Sequence, residues 1–503
     1  MTKWLRKTRP LTSDIRSADR YDNGWDDQPA PIWLKPEAHL RHRTSANGPE
    51  ILTPCNTEFA ADAQGLTAYG GMSLMIGFTQ KVGLSEALGR YLHLPKRKSL
   101  YSPVKLAECT VDAIICGIHR LENTNLLRND PLLTHARGLL HFPDHATEQR
   151  FITAFETEQV EELHQAANAL FHIANRPDAR RGRVGVTMDF DATAAVVYGK
   201  QEEAAFGHYN SKDGHRELQI NVCLLGGSKD LLNHKLQRGS DSTAKEFVKF
   251  LDRSIALLPQ GMSPTLVRAD GGYFSVDNVR ALEGRKLRYL MGCPCYKSLL
   301  AKAYALNKWQ RISADEEVCE VEFRWSDKVT RRVLIARHAD PKKTKAKDNG
   351  QLPLPFALDD PARYTHFGCI TNIKGKSANH LWQSYVGRSN MENAIKENKL
   401  GFGLECLPSK KLAANQAYMA LVFLAYNLVN WFKRSAVAPA ASGKEMGRRQ
   451  VKGLRQWVLC VPAIVERTSD HFNVRLPEGH PSLGLFKDIQ AFLRKGMPAY
   501  GAG

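Results

Sequence analysis

The sequence predicts an α/β protein with a mixed central sheet that is preceded by a helical region. Apolar residues recur at three- and four-residue spacing between about residues 61 and 180, which is the period of amphipathic helices. From residue 183 the period becomes two, which is typical of strands. Beyond residue 243, helical and strand patterns alternate, and this alternation indicates that helices and strands share one domain.

The chain has 503 residues, which is enough for several domains. Composition and periodicity divide it into four parts: a polar arm (1–60), a helical module (61–182), a mixed α/β core (183–435), and a linker with a small C-terminal appendix (436–503). Within the core, residues from about 295 to 379 carry short strand patterns. We expect them to form a β insertion.

Successive elements of the core follow from these patterns. The predicted strands read RVGVTMDFDAT, ELQINVCLLG, LLNHKLQRG, PTLVRADGG and RYLMGC, and those of the insertion EVEFRW, RRVLIARH and YTHFGCITN. Helices are predicted at 243–258 and 276–284. The apolar run 412–432 carries Asn415 and Asn427, so we interpret it as a buried core helix and not as a membrane span.

Charge indicates a polyanionic partner. Seventy Lys and Arg residues against 52 Asp and Glu residues leave a net charge of +18, so nucleic acid is the leading candidate. Two basic clusters border the helical module: Lys96, Arg97 and Lys98, and Arg180, Arg181 and Arg183. The N-terminal residues show no apolar export signal, and we expect a cytoplasmic protein without a membrane partner.

Cysteine usage argues against disulfides and against a structural metal site. The ten cysteines are scattered without a framework, which fits a reducing compartment. Cys293 and Cys295 form a close pair, but no second pair stands at the spacing of zinc ligands. We therefore expect no metal at this pair.

Three acidic residues of the core occupy positions typical of a site. Asp189 and Asp191 stand two apart on one strand, so their side chains leave the same face of the sheet. Asp270 ends a later strand and is followed by Gly271 and Gly272, which permit a sharp turn. Strand ends of this kind carry ligands in open α/β sheets, although an Asp there can also cap a turn.

A further acid lies in the stretch YVGRSNMENAIKENK, which we predict to be one helix from Tyr385 to Lys399. At about 100° per residue, four side chains fall within roughly a 60° arc of this helix: Tyr385, Arg388, Glu392 and Lys399. Carboxylates from two strands and a helix suit Mg²⁺, which prefers oxygen ligands. Two such ions support phosphodiester cleavage, and the neighbouring Arg388, Lys396 and Lys399 would then neutralise phosphates.

These residues resemble a known family. The motifs DFDAT, RADGGY and Y-x2-R-x3-E-x6-K occur in the order found in DDE transposases of bacterial insertion sequences, group 1, the insertion-sequence thirteen-eighty branch. The resemblance covers about residues 60 to 480. It implies an RNase H-like core with a β insertion, and a helical module that binds DNA. The sequence departs from the family at Gly271, where Ser is usual, and at Tyr273, where Phe is usual.

The resemblance implies a transposase that binds the terminal inverted repeats, cleaves the DNA strands and joins the 3′ ends to target DNA. Asp191, Asp270 and Glu392 would be catalytic and would hold two Mg²⁺ ions, for which Mn²⁺ is expected to substitute, and Asp189 is a rival to Asp191 as first ligand. The implied DNA contacts are Tyr385, Arg388, Lys396, Lys399, Arg268, Tyr364 and Phe367. The last two aromatic residues would lie in a loop before the final strand of the insertion and hold a flipped base.

The resemblance also implies binding partners, and two other classes of protein stay open as alternatives. The resemblance implies double-stranded DNA as partner, both transposon ends and target, with a homodimer in the synaptic complex and a location in the cytoplasm at the nucleoid. A nuclease or resolvase with the same core would share the acids but would cut without joining. A DNA-binding relic without activity would typically have lost one of the acids.

Overall fold

The computed structural model describes residues 60–95, 100–176, 184–207, 214–339, 361–441, 445–469 and 471–495. Contacts divide the chain into Met1–Gln64 and Gly65–Gly503, and every element named below lies in the second unit. Nearly all of the predicted arm and both predicted basic clusters (Lys96, Arg97, Lys98; Arg180, Arg181, Arg183) lie outside the described residues.

Helices occupy most of the described chain before residue 176. After a two-residue strand β1 (Leu66–Thr67), they are α1 (Met72–Lys81), α2 (Leu84–Tyr91), α3 (Pro103–Cys116), α4 (Pro131–Arg137), α5 (His145–Thr153) and α6 (Thr157–Ala174). Local sequence sets their ends. Helix α3, for example, begins at the capping hydroxyl of Ser102, which accepts from the Lys105 amide, and ends at Gly117 with a positive φ of 97°.

The core alternates strands and helices. In chain order these are β2 (Val184–Val197), β3 (Arg216–Leu225), β4 (Leu231–Arg238), α7 (Thr243–Ala256), β5 (Met262–Ala269), α8 (Val276–Gly284), β6 (Arg288–Cys293), α9 (Lys297–Leu306), β7 (Gln310–Arg311), β8 (Glu316–Arg324), β9 (Thr330–Ala339) and β10 (Tyr364–Thr371). All eight predicted strands of the core and insertion occur in this list, which confirms the mixed α/β fold class. Helix α9 was not predicted.

The nine strands β2 to β10 form one sheet in the order β4-β3-β2-β5-β6-β10-β9-β8-β7. Strand β2 pairs antiparallel with β3 and parallel with β5, and β5 pairs parallel with β6. The remaining neighbours are antiparallel. The strands of the predicted insertion therefore extend the core sheet, because β10 pairs directly with β6.

The predicted single helix from Tyr385 to Lys399 is wrong, because two helices share this stretch. Helix α10 (Ala378–Val386) ends before Gly387, and α11 (Ser389–Phe402) begins after Arg388. At the junction the Arg388 amide bonds the Tyr385 carbonyl, which tightens the turn to three residues. Tyr385 therefore does not belong to the helix that carries Glu392.

The C-terminal part contains α12 (Leu412–Phe432), α13 (Ala438–Ala440), α14 (Glu445–Arg448), α15 (Val451–Leu454), β11 (Ala463–Arg467), β12 (Phe472–Arg475) and α16 (Leu483–Lys495). Strands β1, β11 and β12 form a second, three-stranded sheet. The predicted linker is helical at its start, since Lys433–Val437 continues α12 as a π-helix and its Ala436 and Val437 are fully buried. Its alanines favour helix.

Helix α12 is the core helix that the sequence predicts. It contacts α3, α5, α6, α11 and β4, so one hydrophobic core joins the helices before residue 176 to the sheet. In the described residues, Leu412–Ala440 is long and apolar enough to cross a membrane, but 83% of its most apolar window is buried within the protein.

Candidate active site

The pairing of β2 and β5 brings two of the predicted catalytic acids together. The parallel register pairs Phe190 with Ala269 and ends there. Asp191 is the next residue of β2, and Asp270 is the next residue after β5, so both acids lie where the pairing stops. We call Asp191, Asp270 and Glu392 the acidic site.

A tight turn fixes Asp270. Its Oδ1 accepts a hydrogen bond of 2.6 Å from the Gly272 amide and caps a short 3₁₀ turn, Gly271–Tyr273. The hydroxyl of Tyr273 donates to the Asp191 carbonyl (2.8 Å), so the turn is tied back to β2. Tyr273 is one of the two departures from the family motif, and its hydroxyl is what makes this bond.

Strand β6 supports the turn from the other side through Gly292. A Cβ atom built on Gly292 would lie 2.6 Å from the Gly271 nitrogen and 2.6 Å from the hydroxyl oxygen of Tyr385. No side chain therefore fits between β6, the Asp270 turn and Tyr385. Sequence reasoning missed this residue, although a glycine inside a predicted strand signals a close backbone approach.

Arg388 links Asp191 of β2 to Glu392 of α11. Its Nη1 donates to Asp191 Oδ2 at 2.9 Å, and its Nη2 lies 3.7 Å from Glu392 Oε1. Asp191 Oδ1 accepts from the Ala192 amide at 2.9 Å. The Arg388 residue is 3% exposed, whereas the Glu392 side chain is 43% exposed. The site is therefore buried at Asp191 and open to solvent at Glu392.

Electrostatics show that the other two acids act on Asp191. Burial raises the pKa of Asp191 to about 7; Arg388 works against this rise, and Asp270 and Glu392 add to it. Burial opposes the charge of Arg388, but Asp191, Asp270 and Glu392 together hold its pKa above the usual value. One guanidinium thus lies in the field of three carboxylates, which leaves the site with surplus negative charge.

Asp189, the rival first ligand, is already paired. Arg268 Nε and Nη2 donate to its two carboxylate oxygens at 2.6 and 2.7 Å, and Arg268 Nη1 donates to the Ser384 carbonyl at 2.6 Å. A Cβ on Gly226 would lie 3.0 Å from this ion pair. This enclosure favours Asp191 as the metal ligand, and it favours a structural role for Arg268 over a contact to DNA.

The predicted DNA contacts near Glu392 differ in how accessible they are. Tyr385 is 6% exposed and packs in the interior. Lys399 Nζ donates to the Ala194 carbonyl at 3.0 Å and pairs with Glu405 at 2.6 Å, so it fastens α11 to β2. Lys396 is exposed, one helical turn after Glu392. Lys396 alone of these three presents an accessible charge beside the acidic site.

Tyr364 and Phe367 do not lie in a loop before the last strand of the insertion. Both are strand residues of β10, opposite Ala339 and Ala336 of β9. The Arg337 guanidinium stacks 4.5 Å from the Tyr364 ring centroid, and Phe367 packs against the smaller hydrophobic core. Their predicted place in a loop is therefore wrong, because β10 begins at Tyr364, where the predicted strand YTHFGCITN also begins. The base-holding role stays a prediction.

The donor set of the acidic site fits a divalent cation by its chemistry. It offers carboxylate oxygens, which hard cations such as Mg²⁺ prefer, and a cation there would offset the burial and the smaller carboxylate repulsion that raise the pKa of Asp191. Within the described part of the chain, no group of three or more His, Cys, Asp or Glu side chains, the acidic site included, is arranged so that all of its members could hold one metal ion. The nine cysteines of that part are free thiols.

Comparison with known proteins adds a sequence match and a structural likeness. The family profile described as Transposase DDE domain group 1 matches residues 51–498 of this chain. No curated protein matches it in sequence. Among solved structures, it is similar to the cryo-EM structure of the piggyBac transposase synaptic complex with hairpin DNA, with a TM-score of 0.40, 10% identity, and coverage of 86% of this chain and 84% of that chain.

Proposed function

Since the chain belongs to the Transposase DDE domain group 1 family, we propose that it binds the terminal inverted repeats of a bacterial insertion sequence, cleaves the DNA strands there and joins the 3′ ends to target DNA. The observation that carries the proposal is the acidic site. Asp191, Asp270 and Glu392 come from positions far apart in the chain, and all three act on one guanidinium, that of Arg388.

Asp191, Asp270 and Glu392 would hold the divalent cations, which we expect to be two Mg²⁺ ions or Mn²⁺ in their place. Such ions, when bound, supply activation of the attacking oxygen and stabilisation of the leaving oxygen in phosphodiester chemistry. Asp191 and Asp270 provide fixed ligands, because backbone amides bond both carboxylates. Glu392 provides the solvent-facing ligand from a helix.

Arg388 has a positioning role in this proposal. Its bond to Asp191 Oδ2 orients the buried carboxylate, and its charge favours the ionised form that a metal ligand needs. Lys396 is the phosphate contact we propose from the predicted set, because its ammonium is exposed beside Glu392. Burial or pairing disfavours the other predicted contacts.

The wider architecture suits this function. Strands β4-β3-β2-β5-β6, antiparallel on one side of β2 and parallel on the other, support an RNase H-like core with Asp191 and Asp270 where the β2–β5 pairing ends. We propose that the helical module 61–182 binds the transposon end. Because its helices share a core with α12, this role is better tested by surface substitutions than by truncation. A homodimer at the synapsed ends and a location at the nucleoid belong to the same proposal.

The test is cleavage and joining of labelled DNA that carries the terminal repeat of the element, with Mg²⁺ and purified protein. We expect Asp191→Asn, Asp270→Asn and Glu392→Gln each to lower strand cleavage by roughly 10³-fold or more, which corresponds to about 4 kcal/mol of barrier. End binding should persist, since ligands and phosphate contacts are different residues.

Two outcomes would contradict the proposal. If cleavage survives one of these substitutions, the substituted residue is not required for catalysis. Cutting by the wild-type protein without any joined product would assign a nuclease in place of a transposase.

A further inference from the structure

The far end of the β2–β3 hairpin carries two exposed aromatic rings beside basic side chains. Tyr198 is 84% exposed and Phe206 is 56% exposed. The Tyr198 ring lies 5.2 Å from that of His215, and the Arg216 guanidinium lies 5.9 Å from the Phe206 ring centroid. We call these four residues, with Lys200, the hairpin-end patch. Large apolar side chains of such exposure are typical of contact surfaces.

The backbone under the patch is held in place. Ala205 and Glu217 exchange two backbone hydrogen bonds (3.2 and 2.8 Å), so the segment that carries Phe206 folds back onto β3. The Glu202 amide bonds the Lys410 carbonyl at 2.8 Å. The Phe206 ring is therefore presented by a hydrogen-bonded backbone segment, which lowers the entropy that a partner must remove on binding.

Charge at the patch is positive. Lys200 and Arg216 are exposed. The two acidic side chains of the same segment are already engaged, because Glu202 accepts from the Leu412 amide at 2.8 Å and Glu203 lies 3.9 Å from Arg238. A polyanion would meet cations and aromatic rings here.

Strand β2 connects the patch to the acidic site, because Asp191 lies within β2 and Tyr198 directly follows its last residue, Val197. Tyr198 follows Asp191 by seven residues, which is about 23 Å along a strand. Helix α11 runs beside β2 in the same direction, since Arg388 contacts Asp191 and Lys399 contacts Ala194. The exposed Lys396 lies on this helix. The acids, the exposed Lys396 of α11 and the patch therefore follow one another in the direction of β2.

We propose that the hairpin-end patch contacts the backbone of the duplex DNA whose cleavage position lies at the acidic site, about seven base pairs away at 3.4 Å per pair. This inference rests on the proposed function. Arg216, Lys200 and the Tyr198 hydroxyl would bond phosphates, and the Phe206 ring would pack on a deoxyribose. Such contacts position the duplex without reading its sequence.

The experiment measures Kd by fluorescence anisotropy for three duplexes that contain the terminal repeat. One extends well past the cleavage position on both sides, and each of the others stops about four base pairs beyond it on one side. We expect the double variant Tyr198→Ser with Arg216→Ser to bind the long duplex roughly 10- to 30-fold more weakly. We expect that loss to vanish on one of the shortened duplexes. The slope of log Kd against log salt concentration should fall by about one unit, because one Arg–phosphate contact is lost.

Phe472 and Arg467 supply a matched control, because they form a similar pair elsewhere. Phe472 is 47% exposed, and the Arg467 guanidinium lies 5.8 Å from its ring. The double variant Phe472→Ser with Arg467→Ser should bind all three duplexes as the wild type does.

Two results would overturn the proposal that the patch contacts DNA while leaving the proposed function intact. The Tyr198 and Arg216 variant could bind the long duplex as the wild type does, or it could lose the same affinity for all three duplexes. Equal weakening by the control variant would overturn it as well. If the wild-type protein neither binds nor cleaves the repeat DNA, the proposed function fails and this inference fails with it.

Discussion

The helical ion cluster, formed by Glu108, Asp112 and Arg137, and the acidic site both place carboxylates around one buried arginine, but they balance charge differently. In the helical cluster, Arg137 donates to Asp112 at 2.6 and 2.8 Å and to Glu108 at 2.9 Å. Lys105 adds a second cation 3.1 Å from Glu108. Two carboxylates thus meet two cations, and the three inner side chains are at most 1% exposed.

The acidic site has the opposite balance. Three carboxylates meet one guanidinium there, and one of them is 43% exposed. A balanced, closed cluster holds helices together, since each buried charge has its partner. A surplus of negative charge that opens to solvent costs stability and is useful only if a cation arrives. This is the difference we expect between a structural set of acids and the proposed metal site.

Removing the arginine of the helical cluster should have the largest effect. Arg137→Met keeps the apolar stem but leaves Glu108 and Asp112 buried without their main partner, and we expect a loss of about 3–5 kcal/mol in the free energy of unfolding. Urea denaturation measures it. We expect Arg388→Met to lower the free energy of unfolding clearly less than Arg137→Met does, because Glu392 reaches solvent. Equal losses for the two variants would contradict the distinction between a closed and an open cluster.

A titrating acid near the helical cluster allows a pH test. Glu148 is fully buried in α5, and burial raises its pKa from 4.5 to about 8, while the hydrogen bond from Thr110 opposes the rise. The folded protein therefore keeps a proton that the unfolded chain loses. Stability should fall as pH rises from about 4.5 to about 8, by up to about 1.4 kcal/mol per pH unit from this group.

Glu148→Gln removes the titration and should remove that part of the slope. Urea denaturation of both proteins at pH 5, 6.5 and 8 measures the difference, which should grow in favour of the variant towards pH 8. Parallel stability curves for the two proteins would show that Glu148 ionises normally in the fold.

Asp189 and Asp191 allow a paired acid and a proposed metal ligand to be compared on one strand. Asp189→Asn breaks the two-bond pair with buried Arg268, and we expect it to lower stability by about 2–3 kcal/mol. Asp191→Asn replaces an acid whose pKa is raised to about 7, so it should leave stability nearly unchanged while abolishing cleavage. Denaturation and cleavage assays on both variants check this. The reverse assignment, with Asp191→Asn unstable and Asp189→Asn inactive but stable, would make Asp189 the ligand.

Crowding of the Asp270 turn gives the smallest expected change in stability. Gly292→Ala places a methyl group 2.6 Å from the Gly271 nitrogen, so the turn must shift. We expect a loss of about 1–2 kcal/mol, together with roughly tenfold slower cleavage. Gly77→Ala in α1 is the control, because nothing lies within 4 Å of its added methyl group. Unaltered cleavage by the Gly292 variant would show that the turn tolerates displacement.

Local patterns predicted the elements well where neighbours in sequence decide the structure. Strand β6 and helix α8 have the bounds that the period and the capping residues predict, and α12 is the predicted core helix. The three acids were also identified from sequence, through their motifs and order. Their joint effect on Arg388 is consistent with that identification, although the roles themselves stay predictions.

Long-range contacts account for what the sequence did not predict. Arg268 lies in a motif that suggests an accessible charge, but Asp189, 79 residues earlier, neutralises it in the interior. Lys399 donates a hydrogen bond to the carbonyl of Ala194 in β2, 205 residues earlier in the chain. At the junction of α10 and α11, Arg388 contacts Asp191, 197 residues earlier, and helical periodicity cannot show this contact. The sequence pattern supplied candidates, and pairing across the sheet determined which of them stay accessible.

The most direct measurement maps where a divalent cation binds. Fe²⁺ bound in place of Mg²⁺, with ascorbate and peroxide, generates radicals that cut the polypeptide next to the ion, and mass spectrometry locates the cuts. We expect cuts beside Asp191, Asp270 and Glu392 that excess Mg²⁺ suppresses and that are lost in Glu392→Gln, and we expect none beside Glu108 or Asp112. Cuts elsewhere, or cuts that Mg²⁺ does not suppress, would contradict the claim that the acidic site is a metal site.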